Sequence, residues 1–346
     1  SDVYKRQVLR CQKYIKNKYF PDKAIDVMDA SGAAVKLRED KIVEIKDIIQ
    51  TVSKISKVGV DVIDVERTDS YKSLDYRIKQ TVFGQDDAID KIVEAILVSK
   101  AGLREGNKPI GSFLFVGPTG TGKTETARAL SKELEAKLVK FDMSEYQERH
   151  SVSKLIGAPP GYVGHAEGKM GQGQLLSEVE DNPNCVLLLD EVEKAAPEVL
   201  QVLLQVMDDG RLTGATGKTV DFSNVTLIMT SNLGAAKLDT AKIGFGEKTH
   251  NNADIEATKQ FFTPEFRNRI DAFIRFNVLG PKEIMSIVNR TIKDTNELLK
   301  ANDTKIKIKL TAAAKKYLAE KGYDPTMGAR PLKRLFEEEV KKPLSK

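Results

Sequence analysis

The run "SFLFVGPTGTGKTETARALSKEL", residues 112–134, constrains the fold more than any other stretch of the chain. An apolar, strand-like segment leads into a glycine-rich turn, and an amphipathic helical pattern starts directly behind it. Strand, turn and helix in that order make an anion cradle, because the backbone N–H groups of the turn and of the helix N-terminus converge on one point. The turn comprises Gly117, Pro118, Thr119, Gly120, Thr121, Gly122, Lys123 and Thr124. In such a loop Lys123 reaches the β and γ phosphates of a nucleotide, and the Thr124 hydroxyl holds Mg²⁺.

The surrounding sequence repeats the strand-then-helix alternation. "KLVKFD", "CVLLLD", "NVTLIMTSN" and "AFIRFNV" read as short buried strands, and "PEVLQVLLQVMDDG" as an amphipathic helix between two of them. That alternation predicts an α/β fold with a parallel sheet flanked by helices on both faces. From Pro281 the pattern is mostly helical, apart from one strand-like run, "KIKIKL" at 305–310. A large α/β domain over residues 76–278 and a small helical C-terminal domain over 279–346 follow from this reading. Ahead of them, Ile25, Met28 and Val35 are spaced for one apolar helix face, with Pro21 at the helix start. Residues from about 40 to 75 read as a linker with a small local element. The first residues, "SDVYKRQ", carry no usable pattern.

Composition excludes several function classes. The 55 basic and 50 acidic residues leave a net charge of +5 with no basic block interleaved with aromatics, so nucleic acid is not an expected partner. His150, His165 and His250 do not pair at metal-ligand spacing, and no structural metal is expected. No run approaches the roughly 18 apolar residues of a membrane span. Cys11 and Cys185 are far apart, and Cys185 opens an apolar run where a buried thiol is expected, which suits a reducing, cytoplasmic compartment.

Other residues fit the chemistry that a phosphate loop needs. Asp190 and Glu191 end the apolar run "VLLLDE", where Asp190 would orient the Mg²⁺ shell and Glu191 would take a proton from an attacking water. Asn232 ends the next strand, and its neutral amide can donate to a γ phosphate and accept from water, although Asn also forms turns. Arg267 and Arg269 in "FTPEFRNRID" and Arg330 in "MGARPLKR" carry forked permanent charges suited to phosphoryl oxygens; by composition alone they are surface arginines. Two stretches expose apolar residues in loop-like surroundings. "GAPPGYVG" presents Tyr162 and Val163, and "AKIGFGEK" presents Ile243, Gly244 and Phe245 ahead of a polar run. Each stretch is either a gripping or docking element or a segment folded back onto its own domain.

Taken together the motifs resemble the Clp family of AAA+ ATPases from about residue 11 onward. "FDMSEYQERHSVSKLIGAPPGYVG", "LLLDEVEKAAPEVLQVLLQVMDDGRLT", "FTPEFRNRID" and "EKGYDPTMGARPLKRL" are similar to the second ATPase module of the two-ring unfoldases of ClpA type. "FPDKAIDVMDASGA" resembles the end of the small domain of a preceding module, so residues 1–35 would be a fragment of that domain and 36–75 the linker. The chain would then be a C-terminal piece of a longer protein. The resemblance implies an AAA+ P-loop fold that binds ATP and Mg²⁺ through Gly117 to Thr124 and Asp190, with Val82 and Phe83 beside the adenine. It makes Glu191 the base, Asn232 and Arg330 the first and second phosphate sensors, and Arg269 an arginine finger reaching a neighbouring subunit.

The same resemblance implies a homo-hexamer whose pore loop, Tyr162 and Val163, threads unfolded protein substrates, with or without an adaptor protein. Ile243, Gly244 and Phe245 fall where protease-partnered relatives dock on a ClpP-type peptidase. One segment departs from the pattern: "HAEGKMGQGQLL", residues 165–176, is longer and richer in glycine than expected. The function expected is ATP-dependent unfolding and translocation into a peptidase. The alternatives are a disaggregase that works without one and a nucleotide-gated scaffold with little chemistry.

Overall fold

The inner strands of the central sheet are short and apolar on both faces, which suits a parallel sheet covered on both sides, whereas the edge strand at 137–142 leaves Lys137 and Lys140 exposed. In the computed structural model the sheet's strands are β1 (Gly111–Val116), β2 (Lys137–Asp142), β3 (Cys185–Asp190), β6 (Thr226–Ser231) and β7 (Ala272–Arg275). They lie in the order β2-β3-β6-β1-β7, and every neighbouring pair is parallel. The remaining two, β4 (Arg211–Thr213) and β5 (Thr219–Asp221), form a separate antiparallel hairpin. The structure describes residues 7–8, 10–12, 14–15, 18–56, 60–63, 73–101, 103–104, 107–157, 172–233, 253–302, 306–324 and 327–344.

Side-chain alternation assigns the two faces. Leu114, Val116, Leu187, Leu189, Leu227 and Met229 enter one core with residues of α6 (Arg149–Ile156), α7 (Gln174–Asp181) and α8 (Pro197–Asp209). Phe113, Phe115, Val186, Leu188 and Ile228 enter the other, with α3 (Leu74–Lys79), α4 (Asp86–Lys100) and α5 (Lys123–Glu133). Each such residue removes its side chain from water on folding, at about 1.5–3 kcal/mol for a Leu or Phe. The sheet is therefore a rigid platform, and what its C-terminal strand ends carry is held firmly.

Helices α11 (Pro281–Ala301), α12 (Ala312–Lys321) and α13 (Arg330–Phe336) follow the sheet and share a small core of Val288, Ile292, Leu318, Leu332 and Phe336. The run expected to be a strand is not one over its described part, 306–310. There the side-chain amide of Asn296 pairs with the backbone of Ile308, donating to its carbonyl at 3.0 Å and accepting from its N–H at 2.7 Å. A helix side chain thus satisfies the backbone groups that a ladder would have used.

At the other end, α1 spans Asp22–Leu37 behind Pro21, but its buried face is Lys23, Val27, Ser31 and Val35. Ile25 and Met28, expected on that face, are exposed. The stretch read as a linker carries a 12-residue helix, α2 (Ile45–Ser56). Its Ile48, Ile49 and Val52 pack with Cys11, Ile15 and Val27, and Ser31 donates to Thr51 at 2.9 Å. Among the described residues no helix is long and apolar enough to cross a membrane.

Candidate active site

The phosphate loop leaves β1 at Gly117 and enters α5 at Lys123. Lys123 is 7% exposed, and its ammonium donates to Gly117 O at 2.5 Å, Pro118 O at 2.9 Å and Asn232 Oδ1 at 2.8 Å. All three of its protons are therefore used. Burial lowers its pKa to about 8, against the pull of the carboxylates of Glu193, Asp190 and Glu191 and with a smaller push from Arg330. Below that value the side chain is a cation held inside the loop.

The tips of β3 and β6 meet it. Asp190 Oδ1 accepts from Thr230 Oγ1 at 2.5 Å, and its Oδ2 pairs with Lys140 at 2.6 Å. Glu191 lies in the left-handed region, φ 57° and ψ 50°, a conformation that costs a non-glycine residue about 1–3 kcal/mol and turns the chain sharply at the strand end. Thr230 Oγ1 accepts from the Glu191 N–H at 3.1 Å and so fixes that turn. The Glu191 carboxylate accepts from Asn232 Nδ2 at 3.2 Å and pairs with Lys194 at 2.5 Å. Asn232 thereby bridges Lys123 and Glu191.

Across from these tips stands the helical C-terminal part. Gly120, at φ +76°, and Gly328, at φ +62°, approach so closely that a Cβ on Gly120 would lie 2.0 Å from Met327 O and one on Gly328 2.7 Å from Gly120 O. The contact needs glycine on both sides. It sets Arg330, at the start of α13, over the loop, where among the described residues its guanidinium has no ion pair. Between the two parts lies a cavity of about 520 Å³, inside the roughly 300–1,000 Å³ of small-molecule sites. Thr119 to Thr124, Asp190, Glu191, Asn232 and Arg330 line it, together with the apolar Val82, Phe83, Leu279, Ile287, Leu298 and Phe336 and the charged Arg290, Asp294 and Lys333.

Arg269 stands outside this cavity. Its Nε donates to Asp208 Oδ2 at 2.6 Å, which raises its pKa, and Nη1 donates to Glu265 O at 3.2 Å. Tyr162, Val163, Ile243, Gly244 and Phe245 lie outside the described residues.

Residues that sequence reasoning missed complete the site. Thr230 was visible as a polar residue in an apolar strand. Gln85, 1% exposed, donates to Thr121 O at 3.0 Å and Asn277 O at 2.8 Å and accepts from the Asn277 N–H at 2.9 Å. Ile287 and Leu298 gave no signal, because their helical spacing reads equally as core, and Leu279 lies just before that helix.

A magnesium ion fits this donor set. Thr124 offers a hydroxyl and Asp190 a carboxylate, both hard oxygen donors on the cavity wall. Among the described residues no cluster of three or more His, Cys, Asp or Glu closes a metal cage. Magnesium is commonly bound by one or two protein oxygens, with substrate phosphates and water in its other positions, so these two donors suffice.

Three family descriptions match the chain: an AAA domain (Cdc48 subfamily) over residues 108–273, the C-terminal D2-small domain of ClpB protein over 279–346, and an AAA lid domain over 2–78. A ClpA homolog protein of Fuscovulum blasticum is 47% identical over 100% of this chain and 43% of its own length. The ATP-dependent Clp protease ATP-binding subunit ClpE of Lactococcus lactis subsp. lactis is 42% identical over 98% of this chain and 45% of that protein. Chaperone protein ClpB 1 of Nostoc sp. is 45% identical over 86% of this chain and 34% of that protein. The chain thus spans less than half the length of these curated relatives. Among solved structures, the S. cerevisiae Hsp104:casein complex in its extended conformation superposes with a TM-score of 0.81 at 37% identity, covering 99% of this chain and 59% of that one. Because the matches run the length of the sequence and the phosphate-loop strand, turn and helix lie inside them, the chain belongs to the Clp family of AAA+ ATPases and corresponds to the second ATPase module.

Proposed function

We propose that this chain hydrolyses ATP at Gly117–Thr124 as the motor module of a ring-forming protein unfoldase. The observation that carries the proposal is the hydrogen-bonded line from Lys123 through Asn232 to Glu191, which joins a phosphate-binding cation, an amide and a carboxylate base. Phosphate oxygens compete with the Gly117 and Pro118 carbonyls for the Lys123 ammonium, and its charge offsets theirs. When Lys123 turns to phosphate, the Asn232 carbonyl oxygen is released to hold the attacking water. Glu191 takes the proton of that water, and its ion pair with Lys194 holds the carboxylate in place. Thr124 and Asp190 would hold Mg²⁺, which when bound would supply Lewis-acid neutralisation of the phosphate charge. Arg330 contacts phosphate from the same subunit. Arg269, paired here with Asp208, would serve a neighbouring subunit's site in a homo-hexamer.

Nucleotide affinity and turnover, measured separately, test the reading. Lys123→Ala should weaken ATP binding by roughly tenfold to a hundredfold, the loss of charge-assisted contacts of about 1.5–3 kcal/mol. Near-parental affinity would remove the phosphate-loop assignment.

The work done by hydrolysis belongs to the same proposal: unfolded protein substrates, with or without an adaptor protein, are pulled past Tyr162 and Val163 in the cytoplasm. They pass to a ClpP-type peptidase docked on Ile243, Gly244 and Phe245. The relative named as a Clp protease ATP-binding subunit supports this. A second reading, disaggregation without a peptidase, is favoured by the likeness to ClpB and Hsp104. Binding of a ClpP-type peptidase by the parent, lost in Phe245→Ala, selects the first; no binding by the parent selects the second.

A further inference from the structure

The β3–β6 ladder stops at Leu189 and Met229, although both strands run on to Asp190 and Ser231. Beyond that point side chains take over the pairing. Thr230 serves Asp190 and the backbone of Glu191, and Glu193 serves the backbone of Asn232 by accepting its N–H on Oε1 at 3.0 Å. Glu193 sits on a tight 3-10 turn, Val192–Lys194. That turn is fixed by the wholly buried Val192 and by the Lys194 N–H donating to Glu191 O at 2.9 Å. The other carboxylate oxygen, Oε2, is buried with no hydrogen-bond partner among the described residues. A carboxylate placed there for stability alone would be expected to satisfy both oxygens. Glu193 gives up the second and spends the first on the one backbone group that aims Asn232.

We propose that Glu193 is a positioning residue of the hydrolytic site: by gripping the Asn232 N–H it holds the Asn232 amide between Lys123 and Glu191. The inference rests on the reading that this pocket hydrolyses ATP. Without Glu193 the tip of β6 keeps its ladder to β1 as far as Ser231 but loses its tie to the β3 tip one residue later. The amide then samples positions in which it bridges nothing. The residue touches no reacting atom, so its loss should act on turnover and not on nucleotide capture.

The test compares Glu193→Ala, Glu193→Gln, Asn232→Ala and the Glu193→Ala/Asn232→Ala double variant in the full chain, with ATP turnover, affinity for a non-hydrolysable ATP analogue and a thermal melt. Misplacing a catalytic group by about an ångström costs up to roughly a hundredfold, so Glu193→Ala should lower kcat by about tenfold to a hundredfold. Analogue affinity should hold or tighten, since a carboxylate beside Lys123 is removed. Glu193→Gln, which keeps an acceptor oxygen at the same reach, should recover most of the lost turnover. The double variant should be no slower than Asn232→Ala alone, because both changes break one device. Parental turnover in Glu193→Ala overturns the proposal. So do multiplicative losses in the double variant, or equal losses in Ala and Gln that follow their melting temperatures. A parent that binds the analogue and hydrolyses nothing fails the hydrolase reading itself, and this inference with it.

Discussion

The two walls of the nucleotide cavity are built on different principles. The sheet wall is bonded to itself: Lys123 to two loop carbonyls and Asn232, Asp190 to Thr230 and Lys140, Glu191 to Asn232 and Lys194. Lys123, Asp190, Glu191, Thr230 and Asn232 are buried or half-buried and the strands that carry them are backed by both main cores, while Lys140 and Lys194 close the network from the exposed side. The helical wall is open. Arg330, Lys333 and Leu298 are exposed, and the core behind them is one small cluster. Its approach to the phosphate loop passes through the backbones of Gly120 and Gly328. One wall has its polar groups paired before any nucleotide arrives, and the other adds the exposed Arg330, Lys333 and Leu298 to a cavity lining whose Leu332 and Phe336 are already buried. Nucleotide would then be what completes the contact between them, which is how chemistry at a strand tip could be felt as motion of a helical domain.

The largest effect expected is on the sheet wall. Glu191→Gln keeps the shape and an acceptor for Asn232 Nδ2 but removes the base, so turnover should fall by roughly a hundredfold or more. ATP affinity should stay within about threefold of the parent, the Lys123 contacts being intact. If binding fell in step with turnover, the wall would not be preorganised as described.

The next effect tests the glycine contact. Gly328→Ala places a Cβ 2.7 Å from the Gly120 carbonyl oxygen at φ +62°. A left-handed alanine costs about 1–2 kcal/mol by itself, so a control is needed. Gly217, in the β4–β5 turn at φ +80°, has nothing within 4 Å of its Cβ position, and Gly217→Ala carries the strain without the collision. Both variants should melt a few degrees low. Only Gly328→Ala should also lose turnover, by roughly tenfold, because it pushes Arg330 away from the phosphates. Equal turnover in the two would show that the helical wall does not need that approach.

The same contrast explains what the sequence could reveal. The parallel sheet and the phosphate loop follow from short-range patterns: short apolar runs alternating with helices, a Gly-rich turn and a helix directly behind it. Asp190, Glu191 and Asn232 stand at strand ends, where local pattern and position coincide, and the structure brings all three to the loop. Arg330 reached the cavity too, but its reason, the Gly120–Gly328 contact, joins residues some two hundred positions apart and has no local signature. Glu193 was invisible because an acid after "DEV" reads as a solvated turn. α2 was legible as more than a small local element, since Ile45, Ile48, Ile49, Val52 and Ile55 recur at helical spacing, but the charged residues between them read as linker; the "KIKIKL" alternation misled because Asn296 of a neighbouring helix satisfies that backbone.

The smallest expected effect sharpens the comparison at two apolar residues of the cavity lining, Val82 and Leu298. Val82 is 4% exposed and belongs to the main core, whereas Leu298 is 59% exposed. Val82→Ala removes packing that exists without ligand, so the apo protein should lose roughly 1–2.5 kcal/mol. Leu298→Ala removes a side chain that water already surrounds, so apo stability should change by no more than about 0.5 kcal/mol. If ATP is what buries Leu298, however, the stabilisation that ligand confers should shrink, because it grows with the logarithm of ligand concentration over Kd and a tenfold weaker Kd removes about 1.4 kcal/mol of it. Melts with and without saturating ATP therefore separate the walls: the Val82 variant starts low, while the Leu298 variant starts with the parent and falls behind it only when ATP is added. A Leu298 variant whose ATP-induced shift matches the parent's would place that residue outside the binding surface and leave the helical wall with its charges alone.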